Sequence, residues 1–136
     1  FALSNDDIEA WIHSAAVLDY VVETSAEGKL ASQQGPLDIT LIESPKHILE
    51  LSQKCQGTVR IGFKLETGIK QKELVRRALA QIEYANMTAV VANRLEDIND
   101  SSKPRAYLVD KTGSDFMLPT INDMCTAIRT LIERGN

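Results

Sequence analysis

VRIGFKLETGIKQKELVRRALAQIEYANMTAVVAN, residues 59–93, changes its apolar period twice. Val59, Ile61, Phe63 and Leu65 alternate with other residues, the period-2 pattern of a strand, and this strand ends near Glu66-Thr67. From about Ile69 to Tyr84 the apolar positions become Leu74, Val75, Ala78, Leu79 and Ile82, which share one face only if the chain is helical. TAVVAN (88–93) is then a short apolar strand suited to burial on both faces. A strand, a helix and a second strand in this order imply a crossover unit, hence an α/β fold with a mainly parallel sheet.

The flanks extend the same alternation. IHSAAVLDYVV (12–22) is a nearly continuous apolar run that reads as one strand buried on both faces. ETSAEGKLASQQGP (23–36) is small and polar and reads as a mobile loop. Leu37, Ile39 and Leu41 alternate with Asp38 and Thr40, predicting a strand with one wetter face. Ser44-Pro45 reads as a helix start, with a side-chain N-cap and proline at the first helical position. Ile48, Leu49 and Leu51 would be that helix's apolar side. AYLVDKTGSDFML (106–118) predicts a hairpin about its Lys-Thr-Gly-Ser turn. Ile121, Met124, Cys125, Ile128, Leu131 and Ile132 form a helical face, capped by Thr120 with Asp123 and closed by Gly135.

Length and composition narrow the function classes. With 136 residues, 43% hydrophobic and 25% charged, the chain is one domain or a large part of one, with the composition of an ordered globular protein. No apolar run approaches the roughly 18 residues of a membrane span. The sequence opens at Phe1 without a signal-peptide pattern, which suggests a piece of a longer protein and a cytoplasmic setting. Cys55 and Cys125 lie in no metal or redox spacing and read as reduced thiols, Cys125 as part of the core. A net charge of −4 gives no basic footprint for nucleic acid. Arg60, Lys64, Lys70, Lys72, Arg76 and Arg77 nevertheless cluster against only Glu66 and Glu73. Such a cluster either gathers a polyanion or is ordinary charge scatter on a solvated helix.

In open α/β sheets ligands bind beyond the carboxyl ends of the strands. That rule marks Asp19 with the loop after it, Phe63 to Thr67, and Asn93. The bland alternatives are a turn cap, a core aromatic and a strand-closing amide. Lys29 stands alone in the small-residue loop, either a solvated charge or a cation that swings over a developing negative charge. His13 and His47 have no Ser or Cys nucleophile motif beside them, and no glycine-rich phosphate loop occurs.

Taken in order, SAAVLDY (14–20), a lysine ten residues after the Asp, PLDITLIESPKHI (36–48), IGFKLET (61–67) and VVANRLE (90–96) resemble the phosphopantothenate–cysteine ligase (phosphopantothenoylcysteine synthetase) family. The similarity runs from about Ile12 to Asn93 and more loosely to the final helix. It implies a Rossmann-like three-layer fold, with residues 1–136 forming the C-terminal part of a single domain. It implies coenzyme A biosynthesis: 4'-phosphopantothenate is activated as an acyl-nucleotidylate and joined to L-cysteine, with Mg2+ and CTP or ATP. No flavin is expected in this chain, and the partners are these small molecules and a second copy in a homodimer, without nucleic acid or membrane. By position, Lys29 matches the catalytic flap lysine. Ser14, Ala15 and Asp19 match a strand end contacting the nucleotide, and Pro45, Lys46, His47 and Ile48 a helix start lying along it. Phe63 matches an aromatic at that pocket and Asn93 a supporting amide; no protein metal ligand is implied. Gln81 and Ala85 stand where relatives fused to a decarboxylase carry lysines, which opens ATP as an alternative to CTP. The FKLET wording is closer to the free-standing and eukaryotic-type enzymes than to the bacterial ligase fused to a flavin-dependent decarboxylase. The family's glycine-rich turn and substrate-binding asparagine have no counterpart here, so a non-catalytic nucleotide-binding or dimerisation module is the alternative.

Overall fold

A computed structural model describes residues 8–25, 27–30 and 35–135. The elements are β1 (Ala10–His13), β2 (Tyr20–Val22), β3 (Leu41–Glu43), α1 (His47–Lys54), β4 (Val59–Glu66), α2 (Gln71–Ala85), β5 (Ala89–Arg94), β6 (Ala106–Asp110), β7 (Asp115–Leu118) and α3 (Ile121–Arg134). The described residues fall into two compact units, one up to Ser14 and from Ile48 onward, the other from Ala15 to His47.

The larger unit is a five-stranded sheet in the order β1-β4-β5-β6-β7. β1, β4 and β5 run parallel, and the expected hairpin adds β6 and β7 antiparallel. Strand alternation divides the core between two faces. Val90, Ala92, Tyr107 and Val109 pack with Leu74, Ala78, Ile82 and Ala85 of α2, with Ile48 and Leu49 of α1 beside them. Val59, Ile61, Ala89, Val91, Ala106 and Leu108 lie on the other face, with Met124, Ala127, Ile128, Leu131 and Ile132 of α3 against them. The result is the expected three-layer α/β arrangement.

Local chemistry explains the helix ends. Asp123 N–H donates to Thr120 Oγ1 at 3.2 Å while Thr120 N–H donates to Asp123 Oδ2 at 2.9 Å, a complete capping box. α2 stops at Asn86 with φ 48°, a left-handed conformation that asparagine tolerates better than most residues.

Four local expectations are corrected. Residues 12–22 are not one buried strand: β1 ends at His13, and Val17 and Leu18 are 57% and 75% exposed. Ser14, Ala15 and Ala16 offer little side chain to a pleated surface, so an apolar composition does not become a strand there. β3 begins only at Leu41, because the ladder it joins is three residues long; Leu37 and Ile39 lie before it, exposed. α1 starts at His47 rather than Pro45, since Ser44 N–H is bound at 2.8 Å to Asp19 C=O, beyond the last β2–β3 pair. Cys125 is exposed, one position off the Met124-Ala127-Ile128 face that packs on the sheet. Cys55 is buried.

Candidate active site

The parallel strands bring three segments to one carboxyl edge of the larger unit. His13 pairs with Gly62, and Leu65 pairs with Asn93, so Ser14, Phe63–Glu66 and Asn93 follow along this edge. Phe63 is half-buried and packs with the α3-side core, whereas Ile48 packs on the α2 side. The two therefore lie on opposite faces of the sheet. Asn93 is half-buried.

Side chains at and just after the end of β5 fasten the turn after β4. Glu96 accepts from Thr67 Oγ1 at 3.0 Å and from Gly68 N–H. The Gly68 amide, Glu96's own amide and the Thr67 hydroxyl all hold its carboxyl below the usual carboxylate value. Arg94 binds Asp97 through two nitrogens at 2.7 and 2.9 Å and donates to Ile69 C=O at 3.1 Å. Gly68 takes φ +69°, which glycine adopts without strain. The turn is thus tied at Thr67, Gly68 and Ile69.

The basic cluster from Arg60 to Arg77 is largely neutralised within itself. Lys64 pairs with Glu66 at 3.2 Å, and Arg77 with Glu66 at 2.7 Å and Glu73 at 2.9 Å. Arg76 pairs with Glu73 at 2.7 Å, and hydrogen bonds from Arg76 and then Arg77 hold the Glu73 carboxyl at about 2. Arg60 is 2% exposed and bound to backbone carbonyls. This arrangement favours ordinary helix-surface pairing over a polyanion groove.

In the smaller unit β2 and β3 form an antiparallel ribbon in which Tyr20 pairs with Glu43 and Val22 with Leu41. Lys46 Nζ is ion-paired to Asp19 Oδ1 at the base of the ribbon. Lys29 is exposed in the connection between the strands, next to Gly28 at φ +98°. The loop expectation for 23–36 falls partly outside the described residues, at Ala26 and 31–34. Ala15, Asp19, Lys29, Pro45, Lys46 and His47 thus belong to the smaller unit, and Ser14, Ile48, Phe63 and Asn93 to the larger. Of the first set, the structure joins Asp19 to Lys46.

A family model described as the DNA/pantothenate metabolism flavoprotein C-terminal domain matches residues 2–133. The chain belongs to this family. A bifunctional coenzyme A biosynthesis protein, CoaBC, of Thermococcus kodakarensis is 41% identical over 103 residues, covering 76% of this chain and 24% of that protein. The corresponding protein of Methanocaldococcus jannaschii is 39% identical over 89 residues, covering 65% and 22%. Phosphopantothenate–cysteine ligase 2 of Oryza sativa subsp. japonica is 36% identical over 90 residues, covering 64% and 27%. The chain therefore spans about a quarter of the length of the curated relatives it matches.

Solved structures support the fold of this flavoprotein C-terminal domain. The DNA/pantothenate metabolism flavoprotein from Streptococcus pneumoniae aligns at TM-score 0.71 and 20% identity, over 91% of this chain and 63% of that one. A Cab2 mutant in complex with phosphopantothenate-cysteine aligns at TM-score 0.62 and 20% identity, over 89% and 42%. Within the domain, sequence reasoning took Arg60 only as one of a basic cluster and passed over Arg94 and Glu96. The signal for the last two was present in Asn-Arg-Leu-Glu-Asp (93–97), charges that directly follow a buried strand at the ligand-binding edge. Arg60 gave no such signal, because an arginine within an alternating strand reads as solvent-facing. The comparison of Gln81 and Ala85 with lysines also changes meaning. Ala85 is fully buried, and Gln81 lies half-buried near Met87 with Nε2 3.9 Å from the sulfur.

Proposed function

We propose that the polypeptide containing this chain is a phosphopantothenate–cysteine ligase of coenzyme A biosynthesis. The observation that carries the reading is the 36–41% identity to proteins named for this pathway, one of them for this ligase, over 64–76% of the chain. The parallel strand ends at Ser14, Phe63 and Asn93 supply the edge on which α/β folds hold a nucleotide.

In the proposed reaction a carboxylate oxygen of 4'-phosphopantothenate attacks the α-phosphorus of CTP or ATP, and pyrophosphate leaves. The cysteine amine then attacks the acyl carbon, forming the amide, losing a proton and releasing the nucleoside monophosphate. Lys29, exposed in the ribbon connection, is the cation for the charge that develops on the phosphate oxygens. Ser14, Ala15, Asp19 and Pro45–Ile48 are the nucleotide contacts, a helix start being the kind of place that favours anionic oxygens. Among the described residues no group of three His, Cys, Asp or Glu could hold a metal. Magnesium is proposed to enter with the nucleotide, on its phosphates. No helix among the described residues is long and apolar enough to cross a membrane, and the setting is proposed as cytoplasmic.

The exposed apolar side chains of the ribbon, among them Tyr20, Val22, Leu41 and Ile42, support a homodimer and keep a dimerisation module as the second reading. Incubating the full-length polypeptide and the 136-residue chain separately with all three substrates tests the assignment. Product is expected from the full-length protein alone, because catalysis needs both substrates held in register. Complete ligation by the 136-residue chain, or none by either, would contradict it. With ATP and CTP competing in that assay, with magnesium, ATP is expected to be used as readily as CTP or better.

A further inference from the structure

Arg60 lies near the start of β4, paired with Trp11 of the edge strand β1, and is 2% exposed. A guanidinium so placed is normally matched by a carboxylate, since an isolated buried charge is expensive. Here its hydrogen-bond partners are carbonyls. Nη2 donates to Ile48 C=O at 2.8 Å, in the first turn of α1. Nη1 donates to Ala85 C=O at 2.6 Å and Asn86 C=O at 3.4 Å, at the end of α2. The backbone of Arg60 is fixed as well: its N–H donates to Thr88 Oγ1 at 3.0 Å, and its C=O accepts from Thr88 N–H at 2.8 Å.

The end of α2 is where such a cation is favoured, because unpaired carbonyls and the helix dipole concentrate negative potential there. Ile48 has no comparable need, since a carbonyl in the first turn of a helix normally accepts an intrahelical bond. The guanidinium therefore bridges two helices at their ends, with β4 as the rigid base. Burial pushes its pKa below the usual arginine value, with the nearby Cys55 acting in the opposite direction. Arginine spans these carbonyls because its donors are fixed in a planar fork, which a lysine ammonium does not reproduce.

We propose that Arg60 is a positioning residue for nucleotide use: it sets the first turn of α1 against the end of α2, and so holds Ile48, the nucleotide-contact residue of its own unit. The proposal rests on the nucleotide-contact reading of Pro45–Ile48. It assigns no substrate contact to Arg60, whose side chain is enclosed.

The experiment compares Arg60→Lys and Arg60→Met with the parent in the full-length polypeptide. Nucleotide KM, cysteine KM and kcat are measured beside amide hydrogen exchange of α1. Arg60→Met is expected to raise nucleotide KM on the order of 10-fold, since small displacements of a binding element carry large effects. Cysteine KM should stay unchanged and kcat within about twofold, with Arg60→Lys recovering part of the loss by keeping one charged donor. Faster exchange in α1 and in the last turn of α2, with the first turns of α2 unaffected, should accompany both substitutions. A uniform loss of all activity in proportion to unfolded protein, or unchanged nucleotide KM in a folded Arg60→Met protein, would overturn the proposal. If the parent shows no nucleotide-dependent ligation, the functional reading fails instead. Unchanged α1 exchange in Arg60→Lys and Arg60→Met would then still refute the bridge itself.

Discussion

Gly62→Ala provides a test whose size follows from the packing. Gly62 stands in the centre of β4, between His13 of β1 and Val90 of β5. A Cβ added there would lie 2.5 Å from Met87 Sδ, 2.8 Å from Gln81 Nε2 and 3.2 Å from Met87 Cε. Met87 is fully buried, so its thioether has nowhere to retreat without disturbing the Ile82–Ala85 packing on the same face. Overpacking of this kind costs about 1–3 kcal/mol. Alanine recovers roughly 0.5–1 kcal/mol through a less flexible unfolded chain. The expected net destabilisation is about 1–2 kcal/mol, read in urea as a midpoint lowered by roughly 1 M with an unchanged slope. Met87→Ala alone should cost about 2–5 kcal/mol by opening a cavity. The two changes occupy the same space, so the double variant should be more stable than the sum of the singles by 0.5 kcal/mol or more, on the order seen for contacting residues. A neutral Gly62→Ala, or strict additivity, would refute the close approach of Met87 to β4.

Two further predictions use titration and capping. His13 has its pKa lowered from 6.5, first by burial and then by Arg60, so the unfolded chain binds its proton more readily than the folded one. Its contribution is complete above about pH 6.5 and declines as pH falls through the depressed folded value; unfolding midpoints followed down to about pH 5 should show that decline, and His13→Phe should flatten it. An unchanged slope in the variant would place the titration elsewhere. Thr120→Ala removes the capping box of α3 and should cost about 1 kcal/mol in a urea titration, with Asp123→Ala in the same background adding little. Fully additive losses from the two substitutions would show that they do not act as one cap.

The fold was legible where periodicity and burial coincide. Val59 and Ile61 of β4, Leu74, Ala78 and Ile82 of α2, and Ala89–Ala92 of β5 are buried as their spacing selects, while Leu65 at the carboxyl end of β4 is exposed. Thr120 with Asp123 forms the cap that its wording announces. Legibility failed where apolar composition lacked a strand to pair with. Residues 14–18 resemble a buried strand because the pattern counts apolar residues, but ladder partners decide strands, and β1 has its recorded partners only to His13. The site was legible in part for a related reason. Strand-end positions such as Phe63 and Asn93 follow from the α/β rule, whereas Arg60, Arg94 and Glu96 act through carbonyls and turns distant in sequence. Their partners become visible only when β4, β5 and α1 are placed together. Lys29 was singled out by resemblance; its exposure agrees equally with a solvated charge and with a mobile cation.

That ambiguity and the central claim are resolved together by steady-state kinetics of the full-length polypeptide and its Lys29→Gln variant. The assay supplies 4'-phosphopantothenate, L-cysteine and magnesium with ATP or CTP, following phosphopantothenoylcysteine and pyrophosphate, beside direct nucleotide binding. The account predicts ligation by the parent and a turnover lowered on the order of 10²–10³ in the variant, with nucleotide affinity little changed, because the ammonium acts on charge that develops only in the transition state. Absence of product with either nucleotide, or near-normal turnover in Lys29→Gln, would contradict it.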